Sequence, residues 1–160
     1  MTYFHEEQTF SRWIAWVIVA LIGIPVAIAL VESLVRPDVF FPSLMTIALF
    51  VAVAVLFFLA RLVVDVDGDE IRISFHFLWP KRRIPLANIR SARAQHYSPL
   101  GAYGGWGVRF SWRGWAFTTG GSDGVLVETN AGKRVMIGSH RAKELEAAIA
   151  RALTERSEPH

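Results

Sequence analysis

Hydrophobic positions recur along this chain in three rhythms, and each rhythm predicts a different element. Trp13–Val31 and Phe40–Ala60 are uncharged, largely apolar runs of 19 and 21 residues. About 20 helical residues cross the ~30 Å hydrocarbon core of a bilayer. A helix also satisfies its own backbone hydrogen bonds in lipid. The two runs therefore predict a transmembrane helical hairpin. Pro25 lies inside the first run, where it predicts a kink. Pro37 and Pro42 punctuate the connection, and Pro42 suits the first turn of the second helix.

After Arg61 the rhythm becomes alternation. Leu62, Val64 and Val66 alternate with Val63, Asp65 and Asp67. Asp67-Gly68 reads as a hairpin turn, and Ile71, Ile73, Phe75, Phe77 and Trp79 continue the alternation in one run. Further strands are predicted at Ile84–Leu86, Ser91–Tyr97, Val108–Trp112, Trp115–Thr118, Val125–Thr129 and Arg134–Ile137. Breaks fall at Pro80-Lys81, Ser98–Gly105, Arg113-Gly114, Gly120–Gly124 and Asn130-Ala131-Gly132. This spacing points to an antiparallel sandwich or small barrel. The third rhythm is helical: Leu145, Ala148, Ile149, Ala152 and Leu153 form one stripe, with Ser139 as the expected N-cap.

Composition agrees with one anchor plus one small domain. The 160 residues are 52% hydrophobic and include no cysteine, which excludes disulfides and thiolate chemistry. The net charge of +3 is unevenly spread, at −2 over residues 1–60 and +5 over residues 61–160. Arg12 precedes the first run and Arg61 follows the second, with Lys81, Arg82 and Arg83 farther on; Arg36 is the one basic residue between the runs. By the positive-inside rule both termini are cytoplasmic. A cleavable signal peptide is the alternative for the first run, with Ala27-Ile28-Ala29 as its cleavage site. The continuation to Val31 and the second run directly after it argue against that. Neither run holds an ionisable group of the kind that proton relays and ion pathways use.

About seven short strands followed by one amphipathic helix resemble a pleckstrin-homology-like domain. Arg83-Ile84-Pro85-Leu86-Ala87-Asn88-Ile89 is similar to a basic, Ile-Pro-Leu stretch of bacterial members. Gly124–Thr129, Gly132-Lys133-Arg134 and Ile137-Gly138-Ser139 look like their late strands leading into the helix. Tyr103-Gly104-Gly105-Trp106-Gly107-Val108-Arg109 resembles a segment of functionally uncharacterised bacterial membrane proteins with two transmembrane helices and one such domain. The resemblance implies a partly open barrel capped by the last helix. It implies no activity, since such barrels host lipid binding, peptide binding and scaffolding.

Candidate chemistry is sparse. Asp65–Glu70 lacks calcium-loop spacing, because Gly68 and His76 stand where position 4 and position 12 would be. His5, His76, His96, His140 and His160 form no zinc-spaced pair, and no metal or cofactor is expected. Ser139-His140 reads as a helix start rather than a nucleophile pair. The glycine runs at 104–107 and 120–124 lack the phosphate-loop pattern. Lys81, Arg82 and Arg83, read as a hairpin tip, together with Arg90 and Arg93, are candidate contacts to anionic lipid. Tyr97, Tyr103 and Trp106, on or beside a glycine-rich loop, are candidate partner contacts. No nucleic-acid recognition element accompanies the basic residues.

The expected organisation is a cytoplasmic leader over residues 1–12, a transmembrane hairpin over 13–60, a pleckstrin-homology-like cytoplasmic domain over 61–156 and a tail over 157–160. The expected role is a non-catalytic, membrane-tethered binding or assembly module of the inner membrane, with the bilayer, and a protein partner or second copy, as its contacts. An anionic-lipid sensor is the first alternative and an enzyme of unknown type the second.

Overall fold

The computed structural model describes residues 2–77 and 79–157. These form two compact units: Phe10–Ala60 is one, and Thr2–Thr9 together with the chain from Arg61 onward is the other.

The first unit holds helices α1, Arg12–Val35, and α2, Phe40–Leu59, joined through a short 3-10 turn. At 24 and 20 residues each is long and apolar enough to cross a membrane. Only 11% of the apolar stretch of α1 and 6% of that of α2 is buried, so neither is the core helix of a globular domain. α1 runs past Val31 to Val35, farther than the apolar run alone indicates. Pro42 occupies the first turn of α2, as its fixed φ and missing N–H favour.

The second unit begins before the helices. Thr2–Thr9 is not a leader outside the domain; it is strand β1, paired antiparallel with β2, Arg61–Asp67, so that Thr9 faces Arg61. Its inward residues are Phe4, Glu6 and Gln8. Their mixed polarity hides the apolar alternation that marks most strands. β3, Glu70–Phe75, and β4, Trp79–Pro85, complete a four-stranded sheet in the order β1-β2-β3-β4. The alternation after Ile71 is not one long strand. It folds back after Phe75, with Phe77 at φ 65, a left-handed conformation uncommon outside glycine. Phe77 is consequently 69% exposed rather than part of the core. Leu78, in the same alternation, lies outside the described residues.

The second sheet contains β5, Ile89–His96; β6, Gly107–Ser111; β7, Gly114–Thr118; β8, Asp123–Thr129; and β9, Arg134–Gly138. Its order is β5-β8-β9-β7-β6, with β7 and β9 parallel. The described strands thus number nine rather than about seven, and the sandwich is mixed rather than antiparallel throughout. β7 runs across the first sheet. Near its start Trp115 touches Trp79 of β4, and just past its end Thr119 bonds Gln8 of β1. Trp79 and Gln8 both sit at the Thr9/Arg61 end of the first sheet, on opposite edges. The edge strand β6, outside β7, therefore lies at that same end, while β5 crosses the opposite one.

Between the sheets, Leu62, Val64, Val66, Ile71, Ile73 and Phe75 are fully buried. Helix α4, Ala142–Ser157, closes the core with Leu145, Ala148, Ile149 and Ala152, four of the five stripe positions expected from its spacing; Leu153 is half-buried. The expected tail lies, beyond Ser157, outside the described residues. A buried polar clasp ties β1 to the start of this helix. The Glu6 carboxylate accepts from Ser139 Oγ at 2.5 Å and from the His140 N–H at 3.1 Å. Ser139 in turn accepts the Arg141 N–H at 3.0 Å; α4 begins at Ala142, so Ser139 is not its N-cap but a residue of the turn ahead of it, held there by Glu6. Gln8 donates to the Gly138 carbonyl at 2.9 Å and accepts from Thr119 Oγ1 at 2.9 Å.

The β6–β7 turn admits only glycine at position 114. There φ is 109°, and a Cβ would lie 2.2 Å from the Arg134 carbonyl oxygen. Gly114→Ala should lower stability by about 2 kcal/mol or more, measured as the thermal midpoint of the full chain in detergent. An unchanged midpoint would mean that the turn and β9 separate at little cost.

Candidate functional site

The structure separates the residues that the sequence groups together. Lys81, Arg82 and Arg83 lie within β4, not at a hairpin tip. Arg83 is opposite Arg72 and 3.8 Å from Glu70. Arg90 and Arg93 are exposed on β5, at the other end of the first sheet from Trp79. The five cations therefore do not form one face.

The aromatic candidates move inward. Tyr97 and Tyr103 are buried and meet edge to face at 6.0 Å. With Ala102 they cover Ala116, Leu126 and Met136, which line up across β7, β8 and β9. The segment that carries Tyr103 is a short helix, α3, Pro99–Tyr103, capped by Ser98 Oγ accepting from the Gly101 N–H. It is a lid over this second small core. Burial pushes the Tyr97 hydroxyl up to about 12, with the Thr118 hydroxyl acting in the opposite direction. Trp106 is half-buried, and its indole N–H donates to the Gly121 carbonyl at 3.2 Å. Tyr97 and Tyr103 are thus core residues rather than partner contacts.

A different cluster converges at the β4 side of the Thr9/Arg61 end. A groove of about 530 Å³ is lined by Arg82, Phe110, Trp112, Arg113, Lys133 and Arg134, among others. The β6–β7 turn supplies Trp112 and Arg113, and the β8–β9 turn supplies Lys133. Arg82 is half-buried, its guanidinium 5.4 Å from the Trp115 ring centre and 5.8 Å from that of Phe117. That burial lowers its pKa, yet guanidinium remains charged at neutral pH. Trp115 also packs against Phe110 at 5.1 Å and Trp79 at 5.5 Å. Arg113 lies 4.6 Å over Trp112, which is 85% exposed. Arg134 is 3.5 Å from Glu128. Among the described residues no carboxylate lies within 4 Å of Arg82, Arg113 or Lys133, and none lines the groove. Cations beside aromatic faces, with no carboxylate lining the groove among the described residues, give it a positive potential of the kind that suits anions.

The sequence signal for this cluster is Trp112-Arg113-Gly114-Trp115, two indoles flanking a basic turn. In the sequence alone Arg113-Gly114 signals only a strand break. Lys133 joins the cluster through the parallel pairing of β7 with β9, which no local pattern announces.

A second groove of about 500 Å³ is lined in part by His96, Asp123, His140, Arg141 and Glu144. His96 Nδ1 is 3.1 Å from Asp123 Oδ1, but the two side chains are 73% and 66% exposed. An ion pair so exposed contributes little. Among the described residues no three His, Asp or Glu side chains gather as a metal site. No protein-family model matches the chain, and no curated protein matches it.

Proposed function

We propose that this protein is a non-catalytic, membrane-tethered binding or assembly module: a two-helix anchor inserted between the first two strands of a pleckstrin-homology-like cytoplasmic domain. The pairing of Thr9 with Arg61 carries the reading. Antiparallel partners in a sheet are neighbours, so the chain leaves the β domain and returns to it at one place. Helices that cross a bilayer from there must cross as a hairpin, with both ends on one side. Arg12 and Arg61 flank that hairpin, and the positive-inside rule then favours the cytoplasm for both termini. A four-stranded meander, a second sheet across it and a terminal helix support the pleckstrin-homology-like likeness. The β6–β7 hairpin and the parallel β7–β9 pair are departures from the simpler element order. A reporter active only outside the cytoplasm should be silent after His160 and active when inserted beside Asp38. Activity after His160 would overturn the orientation.

A second reading, an anionic-lipid sensor, is favoured by one observation. Arg82, Arg113 and Lys133 converge with no carboxylate partner among the described residues. The basic group is then this cluster rather than the run Lys81-Arg82-Arg83.

A further inference from the structure

We propose that the Thr9/Arg61 end of the β domain docks on the anionic leaflet of the membrane that holds α1 and α2. Trp112, Phe110 and Phe77 enter its interface, while Arg82, Arg113 and Lys133 hold its phosphates. The inference rests on the membrane-tether reading and goes beyond it by naming the surface, its orientation and its ligand.

Position is the first argument. Only Phe10 and Ser11 separate β1 from α1, and Ala60 alone separates α2 from β2. Two residues span at most ~7 Å, about the depth of one headgroup layer. The strand ends at Thr9 and Arg61 are therefore held near any leaflet the helices enter. Trp79 lies three strand spacings across the same sheet end, and neighbouring strands are about 4.8 Å apart. Its ring touches Trp115, which brings in the β6–β7 hairpin.

Chemistry is the second argument. Trp112, Phe110 and Phe77 are 85%, 71% and 69% exposed. All three lie on turns or the edge strand at this one end. Aromatic side chains clustered in the open mark an interaction surface, and indole rings favour the membrane–water boundary. Among the described residues Arg82, Arg113 and Lys133 have no carboxylate within 4 Å, whereas Arg61 is already paired with Glu7 at 2.5 Å. Arg82 is held half-buried against Trp115 without a counter-ion among the described residues. A layer of lipid phosphates supplies that counter-ion, and the acyl boundary beneath it receives the rings. A soluble anion would use the cations and leave the aromatic rings in water.

The absence of cysteine permits a direct test on the full chain. Trp112→Cys carries an environment-sensitive fluorophore, and Asp69→Cys, in the β2–β3 turn at the opposite end of the sheet, carries the same label as control. Both are placed in lipid discs of phosphatidylcholine, with or without phosphatidylglycerol, and quenched with bromine-labelled acyl chains. The expected result is a blue shift and strong quenching at 112 in the anionic discs. The label at 69 should remain aqueous. Raised salt and the exposed pair Arg113→Gln/Lys133→Gln should each reverse the effect at 112 without changing the thermal midpoint. Equal signals from 112 and 69 overturn the surface, and so does quenching at 112 that ignores anionic lipid. A chain that fails to co-purify with the discs overturns the tether reading itself, which separates the two failures.

Discussion

Deleting Thr2–Thr9 should leave the β domain unfolded, although the deleted segment lies on the far side of the two apolar helices from the rest of the domain in sequence. β1 is the edge strand beside β2, and its removal uncovers one side of Leu62, Val64 and Val66. Phe4, 6% exposed, leaves the core, a loss of the kind that costs about 3–5 kcal/mol for Phe→Ala. The clasp is lost with it. Hydrogen bonds to a charged group contribute roughly 1.5–3 kcal/mol each, and the Ser139 hydroxyl and His140 N–H would both lose Glu6. These losses together match the typical 5–15 kcal/mol stability of a domain. Near-ultraviolet circular dichroism and protease resistance of the full chain against the truncated one would measure the effect; a protected β domain in the truncated chain would refute it. The same geometry carries a converse result. Because Thr9 faces Arg61, a two-residue Asn-Gly turn in place of residues 10–60 should give a folded, water-soluble domain. A fragment starting at Arg61 should not. Glu6→Gln should fall between, retaining the strand while weakening the bonds to Ser139 and His140.

What could be read from the sequence was local, and what could not depended on distant partners. The two apolar runs and the α4 stripe follow from their own periods, 3.6 residues per turn and a length matched to a bilayer. Leu62–Val66 and Ile71–Phe75 announce strands by alternation with polar positions. β1 does not, because two of its three fully inward residues are Glu6 and Gln8. Their partners, Thr119, Gly138, Ser139 and His140, lie more than a hundred residues away. The β3–β4 turn was hidden differently. Pro80 reads as the break in sequence, but it fits an edge strand, where its missing N–H costs no ladder bond. Phe77 takes the left-handed turn position that sequence logic reserves for glycine. The site was displaced for the same reason. Lys81 to Arg93 are close in sequence, yet β4 and β5 belong to different sheets. Arg82, Arg113 and Lys133 are far apart in sequence, yet one groove collects them. Tyr97 and Tyr103 read as loop aromatics in sequence because the apolar row beneath them is spread over three strands.

Ile149→Asp should be the most damaging single substitution in α4. Ile149 is fully buried on the helix face that closes the gap between the two sheets, flanked by Leu145 and Ala152 at 0% and 1% exposure. An aspartate there has no cation within its helix stripe to pair with. It must either bury an uncompensated charge, take up a proton, or pull the helix away. Each route costs on the order of several kcal/mol, about 4 or more. The effect should also reach β1. α4 packs on β1 and β2 as well as on β5 and β8. Tyr3, on β1, donates to the Glu155 carboxylate of the same helix, and that contact raises the pKa of its hydroxyl. A displaced α4 therefore releases Tyr3 and uncovers the face of β1 it packs on, so amide exchange should accelerate along Thr2–Thr9 together with the helix. Ile149→Val keeps the apolar face and should cost only about 1 kcal/mol, with no change in exchange at β1. Thermal midpoints within a degree of each other for Ile149→Asp and the parent chain would mean that α4 does not seal this core.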